Sequence, residues 1–415
     1  MIPVNDRTKK VSNYQIGQLG IKPAVGQVET IEDLRNNPPN IVIAEALIDL
    51  EYSQNHYSRK QSFIKKQNYV MSLGVYNQIW INKRSNEKIL KPSTFKFSKL
   101  FRPYKGESLD NKTLLVWRQG GIGDLLFISP NLRYLKNKYP SSKIIVACGP
   151  QYQSMVKTWD FIDKVIDLPF NVSYLYTSNS DYHCMFEGVI ERTKQAEKEN
   201  SYVLFTKWMG LDLPENELTP QQQIPEEELE TAKAHISNWG LKEKDFIVLQ
   251  FRASSPIRTP RPEFWKKIID DLTSKGHKIV IVDSVNNLIM TRQFIEFMKD
   301  KHMIFNFSEF SDEVLKTMAI TSLAKMAIAT DSALLHIAES LKVKNFGIFG
   351  PFPGSVRLST YRYSDWVDAQ KDCSPCFQHS QYPCKRSIAG YSSCYDNLDT
   401  NEVIERIQKH LDKEI

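Results

Sequence analysis

Thr113-Leu114-Leu115-Val116-Trp117-Arg118-Gln119-Gly120-Gly121-Ile122-Gly123-Asp124 reads as a short buried strand running into a glycine-rich turn. Leu125, Ile128, Leu132 and Leu135 then recur at helical spacing, with Pro130 a kink. Glycines at such a turn let the backbone bend tightly and approach a ligand, and the following helix offers free N–H groups. A dinucleotide fingerprint needs a third glycine at position 126, where Leu126 stands, and an acidic residue about twenty positions on, which is missing. No Gly-Lys-Ser/Thr follows, which excludes a Walker loop. Asp124 is then either a helix-start carboxylate or a catalytic group.

Outward from this turn the rhythm is α/β. Ile144 to Ala147 and Val165 to Asp167 read as further strands. A second set begins near Asp245, with strands at Phe246–Phe251, Ile279–Val282, Met326–Ala329 and Phe346–Phe349. Glu226-Glu227-Glu228 marks the helix between the two sets. Ile41 to about Gln67 reads as a helix on the spacing of Ile43, Leu47 and Leu50, and Val70 to Ile81 as strands. Lys91 to Lys105 reads as a linker or extended arm.

The second turn, Thr330-Asp331-Ser332-Ala333-Leu334-Leu335-His336, again passes from a strand end into a helix that Asp331 or Ser332 can cap. Such a start suits a diphosphate, although a capped helix with a packed histidine explains it equally. Ser254, Ser255 and Arg258, just after a strand, can hold phosphate oxygens or form a merely polar loop.

Charge and cysteine are unevenly placed. The net charge is +6, with 17 Lys/Arg against 10 Asp/Glu in residues 1–110. Residues 52–105 hold twelve cations and one acid, Glu87, interleaved with Tyr52, Tyr57, Phe63, Tyr69, Trp80, Phe95, Phe97, Phe101 and Tyr104. This window is read either as a nucleic-acid surface or as a small core with a solvated basic face. Cys373, Cys376, Cys384 and Cys394 cluster in 22 residues, a spacing for a closed, structural Zn or Fe site if the compartment is reducing. His379 is a substitute ligand or a surface residue. The opening residues lack the apolar core of a signal peptide and no run is long enough to span a bilayer, so a cytoplasmic protein is expected.

Taken together, these residues resemble the heptosyltransferase-like glycosyltransferase family 9. The resemblance rests on Gly120–Asp124, on Pro130, Leu132, Arg133, Leu135, Lys136, Tyr139 and Pro140, on Asp331 to Ala338, on Phe349-Gly350-Pro351 and on Cys373-Ser374-Pro375-Cys376. It covers about residues 110–415, and an autotransporter heptosyltransferase branch with a four-cysteine iron site is comparable. It implies an α/β GT-B fold, two Rossmann-like domains facing a cleft. The expected division is an N-terminal basic and aromatic extension (1–108), an acceptor domain (109–235), a donor domain with the cysteine segment (236–400) and a C-terminal helix (401–415) returning to the acceptor half. It also implies that Asp124 is the general base beside an acceptor and phosphate loop of Gly120, Gly121 and Gly123. Ser254, Ser255, Arg258, Asp331, Ser332, His336 and Gly350 fall to the donor, a nucleotide-diphosphate sugar. No catalytic metal is expected. Ala333 departs from the family's glycine, and Phe352-Pro353 from its small polar residue.

The activity so implied is inverting transfer to a hydroxyl of a glycan, glycolipid or protein. A glycosyltransferase acting on hydroxylated DNA bases and a non-catalytic metal-stapled binding protein stand as alternatives, and assembly into a homo-oligomer is left open.

Overall fold

A computed structural model describes residues 27–36, 41–52, 60–80, 87–93, 102–177, 179–378, 384–387 and 390–414. The N-terminal segment contributes β1 (Ile41–Ala46), β2 (Leu50–Tyr52), β3 (Gln61–Phe63), β4 (Asn68–Ser72) and β5 (Leu90–Pro92). The first α/β half holds β6 (Thr113–Arg118), β7 (Lys143–Cys148), β8 (Lys164–Asp167), β9 (Phe170–Asn171) and β10 (Tyr182–Met185). The second holds β11 (Phe246–Gln250), β12 (Lys278–Ile281), β13 (Ile304–Asn306), β14 (Met326–Thr330), β15 (Lys344–Phe349) and β16 (Ser364–Asp368).

Both halves are parallel sheets wound outward from a first strand. The second has the order β13-β12-β11-β14-β15-β16, and the first β8-β7-β6-β10. In each, the chain reverses direction of growth beside its first strand, leaving a crevice between β6 and β10 and another between β11 and β14. Ligands of open α/β sheets sit in such crevices, outside the carboxyl ends of the strands. The strands are buried on both faces, as β6 and β14 show at every residue, because helices or another sheet cover each side.

The N-terminal segment departs from its expected structure. Ile41–Ala46 is a strand, because the β-branched run Ile41-Val42-Ile43 sits between β4 and β5, where pairing on both edges overrides the helical spacing. After β4 the chain turns into the Leu73–Ile79 helix, capped by Ser72, whose hydroxyl accepts the Val75 N–H at 3.3 Å. Ile43 and Val70 pack on Leu115, Trp117 and Ile145, so this antiparallel sheet covers one face of the first half. β9, from the first half, completes it as an edge strand beside β4. Pro103 and Tyr104 run along β10 and are not a free linker.

This packing takes three of the window's aromatic rings out of reach of nucleic acid. Phe63 and Tyr69 are buried together with ring centroids 4.6 Å apart, and Tyr104 is buried in the first half's core. Rings held inside a core cannot stack on bases. Tyr57, Phe95, Phe97 and Phe101 lie outside the described residues.

Two further expectations are corrected. The Glu226–Asn238 helix packs on the Val314–Ser322 helix, so the second half begins there and not at 236. The C-terminal helix Thr400–Asp412 stays with the second half. Its buried Val403, Ile407 and Leu411 join that half's core, and Lys344 Nζ at the start of β15 donates to Leu411 O at 3.0 Å. Its apolar stripe finds the nearest exposed sheet face, over β15 and the Pro262–Ser274 helix. No helix among the described residues is long and apolar enough to cross a membrane.

Candidate active site

The two crevices face one another across a cavity of about 830 Å³. The Ile122–Lys138 helix enters from the first half and the Ala333–Ser340 helix from the second, each with its first turn on the cavity. No side chain caps either N-terminus. Ser332 is not the cap expected of it, since its hydroxyl donates to Gln250 Oε1 at 2.7 Å. Both helix starts therefore present amides and a positive dipole end to the cavity. The helices meet where Gly123 faces His336: a Cβ on Gly123 would lie 2.7 Å from His336 Cδ2. Gly121, at φ +86°, leaves the space that the Asp124 carboxylate occupies.

Asp124 stands on the first half's wall. Its Oδ2 accepts from Arg118 Nη2 at 2.7 Å. The same guanidinium bonds Glu191 Oε1 at 2.5 Å, Phe186 O at 2.8 Å and Gly120 O at 3.1 Å, with Glu187 3.8 Å away. One buried cation thus serves three carboxylates. Burial, with Glu191 adding to it, pushes the Asp124 carboxyl above the usual carboxylate range despite Arg118. A raised carboxylate is a stronger base, which suits proton removal from a hydroxyl.

The second wall carries the cations. Arg258 Nη2 donates to Ser254 Oγ at 3.1 Å, and its Nη1 lies 3.4 Å from Asp331 Oδ2. That contact is an ion pair without hydrogen-bond geometry, so Asp331 Oδ2 is buried with no hydrogen-bond partner. Burial raises Asp331, but Arg258 and then Arg357 outweigh it and hold the carboxyl below its ordinary range. Ser254, Ser255, Ser332, Asp331 and Arg258 all line the cavity.

His336 lines it too, but as a packed neutral ring. Its Nδ1 shares a hydrogen bond with Tyr361 Oη at 2.6 Å, and Phe127 from the first half packs on it with centroids 4.7 Å apart. Burial drives the imidazole down to about 3, so it adds no positive charge at neutral pH. Gly350 is not among the cavity walls. Tyr395 fills the space above it, where a Cβ would lie 2.7 Å from the ring. Gly120 also stands back, contributing its carbonyl to Arg118.

Two cavity residues were not singled out from the sequence. Asp283, just beyond β12, accepts from Ser284 N at 2.7 Å and Asn287 Nδ2 at 2.9 Å through Oδ1, while its buried Oδ2 has no hydrogen-bond partner. An acid at the end of the second strand of such a sheet is where a ribose hydroxyl is held. Its signal was present in the strand ending at Asp283. Arg357, on the short Ser355–Leu358 helix, had no local signal.

Residues 186–385 match the model of "Glycosyltransferase family 9 (heptosyltransferase)". That stretch is just under half of the 415-residue chain, and over it the chain is similar to that family. The family match begins after the Gly120–Asp124 turn, so the place of Asp124 rests on the geometry above. No curated protein sequence matches the chain. Among solved structures, a glycosyltransferase family 9 protein from Veillonella parvula DSM 2008 is similar, with 16% identity and a TM-score of 0.56, over 74% of this chain and 98% of that one. E. coli ADP-heptose LPS heptosyltransferase II is similar at 14% identity and a TM-score of 0.55, over 72% and 98%. The iron-containing dodecameric glycosyltransferase TibC from enterotoxigenic E. coli H10407 shares 11% identity and a TM-score of 0.51, over 94% and 99%. That alignment is longer than residues 109–415, so it reaches into the N-terminal segment. These likenesses show the paired α/β fold of the chain.

The four clustered cysteines lie away from the cavity. Burial raises the Cys394 thiol, and Cys376, Cys373 and Cys384 each add to that rise. Among the described residues, no group of three or more His, Cys, Asp or Glu is arranged as a metal ligand set. His379 lies outside the described residues.

Proposed function

We propose that this enzyme moves a heptose-like sugar from a nucleoside diphosphate donor to a hydroxyl of a glycan, glycolipid or protein, inverting the anomeric centre. The observation that carries this reading is the opposition of charge across one cavity. Arg258, Arg252 and an uncapped helix start line the second half's wall, and the raised Asp124 carboxylate stands on the first. The diphosphate lies against the arginines and the helix dipole, which stabilise its developing charge. Asp283 holds the ribose through its free oxygen. Asp124 takes the hydroxyl proton as the acceptor oxygen attacks the face opposite the departing phosphate. ADP-heptose is the first donor to try, because the E. coli relative is named for it. Mass spectrometry of the full-length protein with ADP-heptose and a panel of other nucleotide sugars tests the reading. The expected result is sugar-dependent release of nucleoside diphosphate with ADP-heptose. Release from none of them sinks it.

Burial of Phe63, Tyr69 and Tyr104 weakens the case for a DNA acceptor, and the Asp124 carboxylate on the cavity wall favours catalysis over a purely binding role. The cysteine segment is proposed to hold one structural Zn or Fe through Cys373, Cys376, Cys384 and Cys394. A soft cation binds clustered cysteines as thiolates, releasing their protons, and such a closed site adds stability and no chemistry. Elemental analysis of protein purified under reducing conditions should find one metal per chain, and Cys376→Ser should lower Tm while the folded fraction keeps its specific activity. A metal-free protein of normal Tm would refute the site.

A further inference from the structure

Arg357 has no role in the chemistry described so far. It is 5% exposed, yet it lines the cavity. Its Nη1 donates to Ser201 Oγ at 2.7 Å, and its guanidinium lies 4.9 Å from the centroid of the Phe352 ring. Ser201 belongs to the first half and Arg357 to the second, so the side chain is fixed across the domain junction. The charges that act on it stand on both walls: Asp331 and Arg258 on one, Asp124 and Glu191 on the other. Those carboxylates are already engaged, Asp331 with Arg258, and Asp124 and Glu191 with Arg118. Burial draws Arg357 below the ordinary arginine range. A desolvated guanidinium that lines a cavity between two such walls is a site for an anion.

The anion that this cavity receives follows from the proposed reaction, on which this inference rests. The anomeric carbon must lie between the base and the leaving phosphate, so the phosphate nearest the sugar falls between Asp124 and the Asp331 helix start. Arg357 lines this cavity, and charges on both walls act on it.

We propose that Arg357 is a catalytic residue that binds the terminal phosphate of the departing nucleoside diphosphate. As transfer proceeds, the bond from the acceptor oxygen to the anomeric carbon forms. The bond from that carbon to the phosphate oxygen breaks and leaves its electron pair on the phosphate. The hydroxyl proton passes to Asp124. Arg357 meets the charge that appears on the phosphate, while Arg258 and the helix start hold the phosphate nearer the nucleoside. Because Ser201 fixes the guanidinium from the opposite half, this contact forms only when the two halves are docked.

Calorimetric titration of the full-length protein with ADP and with AMP tests the assignment. A ligand to the terminal phosphate separates the two nucleotides, whereas general damage weakens both. Arg357→Met should reduce ADP affinity about 10–100-fold, the loss of charge-assisted hydrogen bonds, and leave AMP within a few-fold. Its kcat should fall with it. Arg357→Lys retains the cation without the forked geometry, and serves if the Met variant does not fold; its ADP preference should fall by about threefold or more. Wild-type preference for ADP over AMP in a folded Arg357 variant overturns the assignment and leaves the proposed function standing. Failure of the wild-type protein to bind ADP, or UDP tried in its place, overturns both.

Discussion

Asp124→Asn should lower turnover by about 10²–10⁴-fold, the usual contribution of a general base, while donor binding stays within a few-fold. The amide keeps the shape of the carboxylate and can still meet Arg118 Nη2 through its oxygen, so the helix start should not move. It cannot take the proton of an attacking hydroxyl. The proposed donor contacts lie on the opposite wall, which is why affinity for ADP should hold. The pH profile supplies a second reading. Burial, reinforced by Glu191, places the Asp124 carboxyl above its ordinary range. Activity should therefore decline on the acid side at a pH above that of a solvated aspartate, because the protonated acid cannot serve as base. Single-turnover assays of the wild-type protein and the variant from pH 4 to 8 check both points, since the acid limb should appear in the wild type and be lost in the variant. Near-normal turnover would place the base elsewhere, with Glu191 the next carboxylate on that wall.

Arg118→Met should cost about 3–5 kcal/mol of stability, because it strands buried charges in place of a satisfied pair. The Arg118 side chain is 5% exposed, and it meets Asp124, Glu191 and Glu187 as well as two carbonyls. Methionine fills much of the volume but offers no donor. The pH dependence has a definite sign. Burial already raises the Glu187 and Asp124 carboxyls with Arg118 present. Without it their folded pKa values rise further above those of the unfolded chain. The native variant then binds more protons than the unfolded chain across the acid-to-neutral window, so its stability falls as pH rises through that window. Urea titrations at pH 5 and pH 7.5 should show the larger loss at the higher pH. Equal, small losses at both would mean that water reaches these carboxylates and Arg118 is no hub.

Legibility in the sequence followed the range of the interactions involved. The two turns at Gly120–Asp124 and Asp331–His336 were readable because strand, glycine turn and helix start are local patterns, set by backbone sterics and side-chain spacing over about a dozen residues. The α/β alternation of 113–350 was readable for the same reason. Ile41–Ala46 was misread because its apolar spacing fits a helix, while its β-branched residues and the strands on both sides make it a sheet.

The sequence by itself determined two α/β halves, each opening a helix at a strand end, and one carboxylate, Asp124, at the first of those starts. Only the tertiary structure decided that Glu187 and Glu191 join Asp124 on one guanidinium, that Tyr395 occupies the space above Gly350, and that Arg357 crosses from one half to Ser201 of the other. It also decided that the C-terminal helix stays with the second half and that Phe63, Tyr69 and Tyr76 of the N-terminal segment are core. Those outcomes depend on residues tens to more than a hundred positions apart sharing a buried space. Burial rewards whichever apolar faces and charge partners the whole chain brings together, and no spacing along the sequence records that choice.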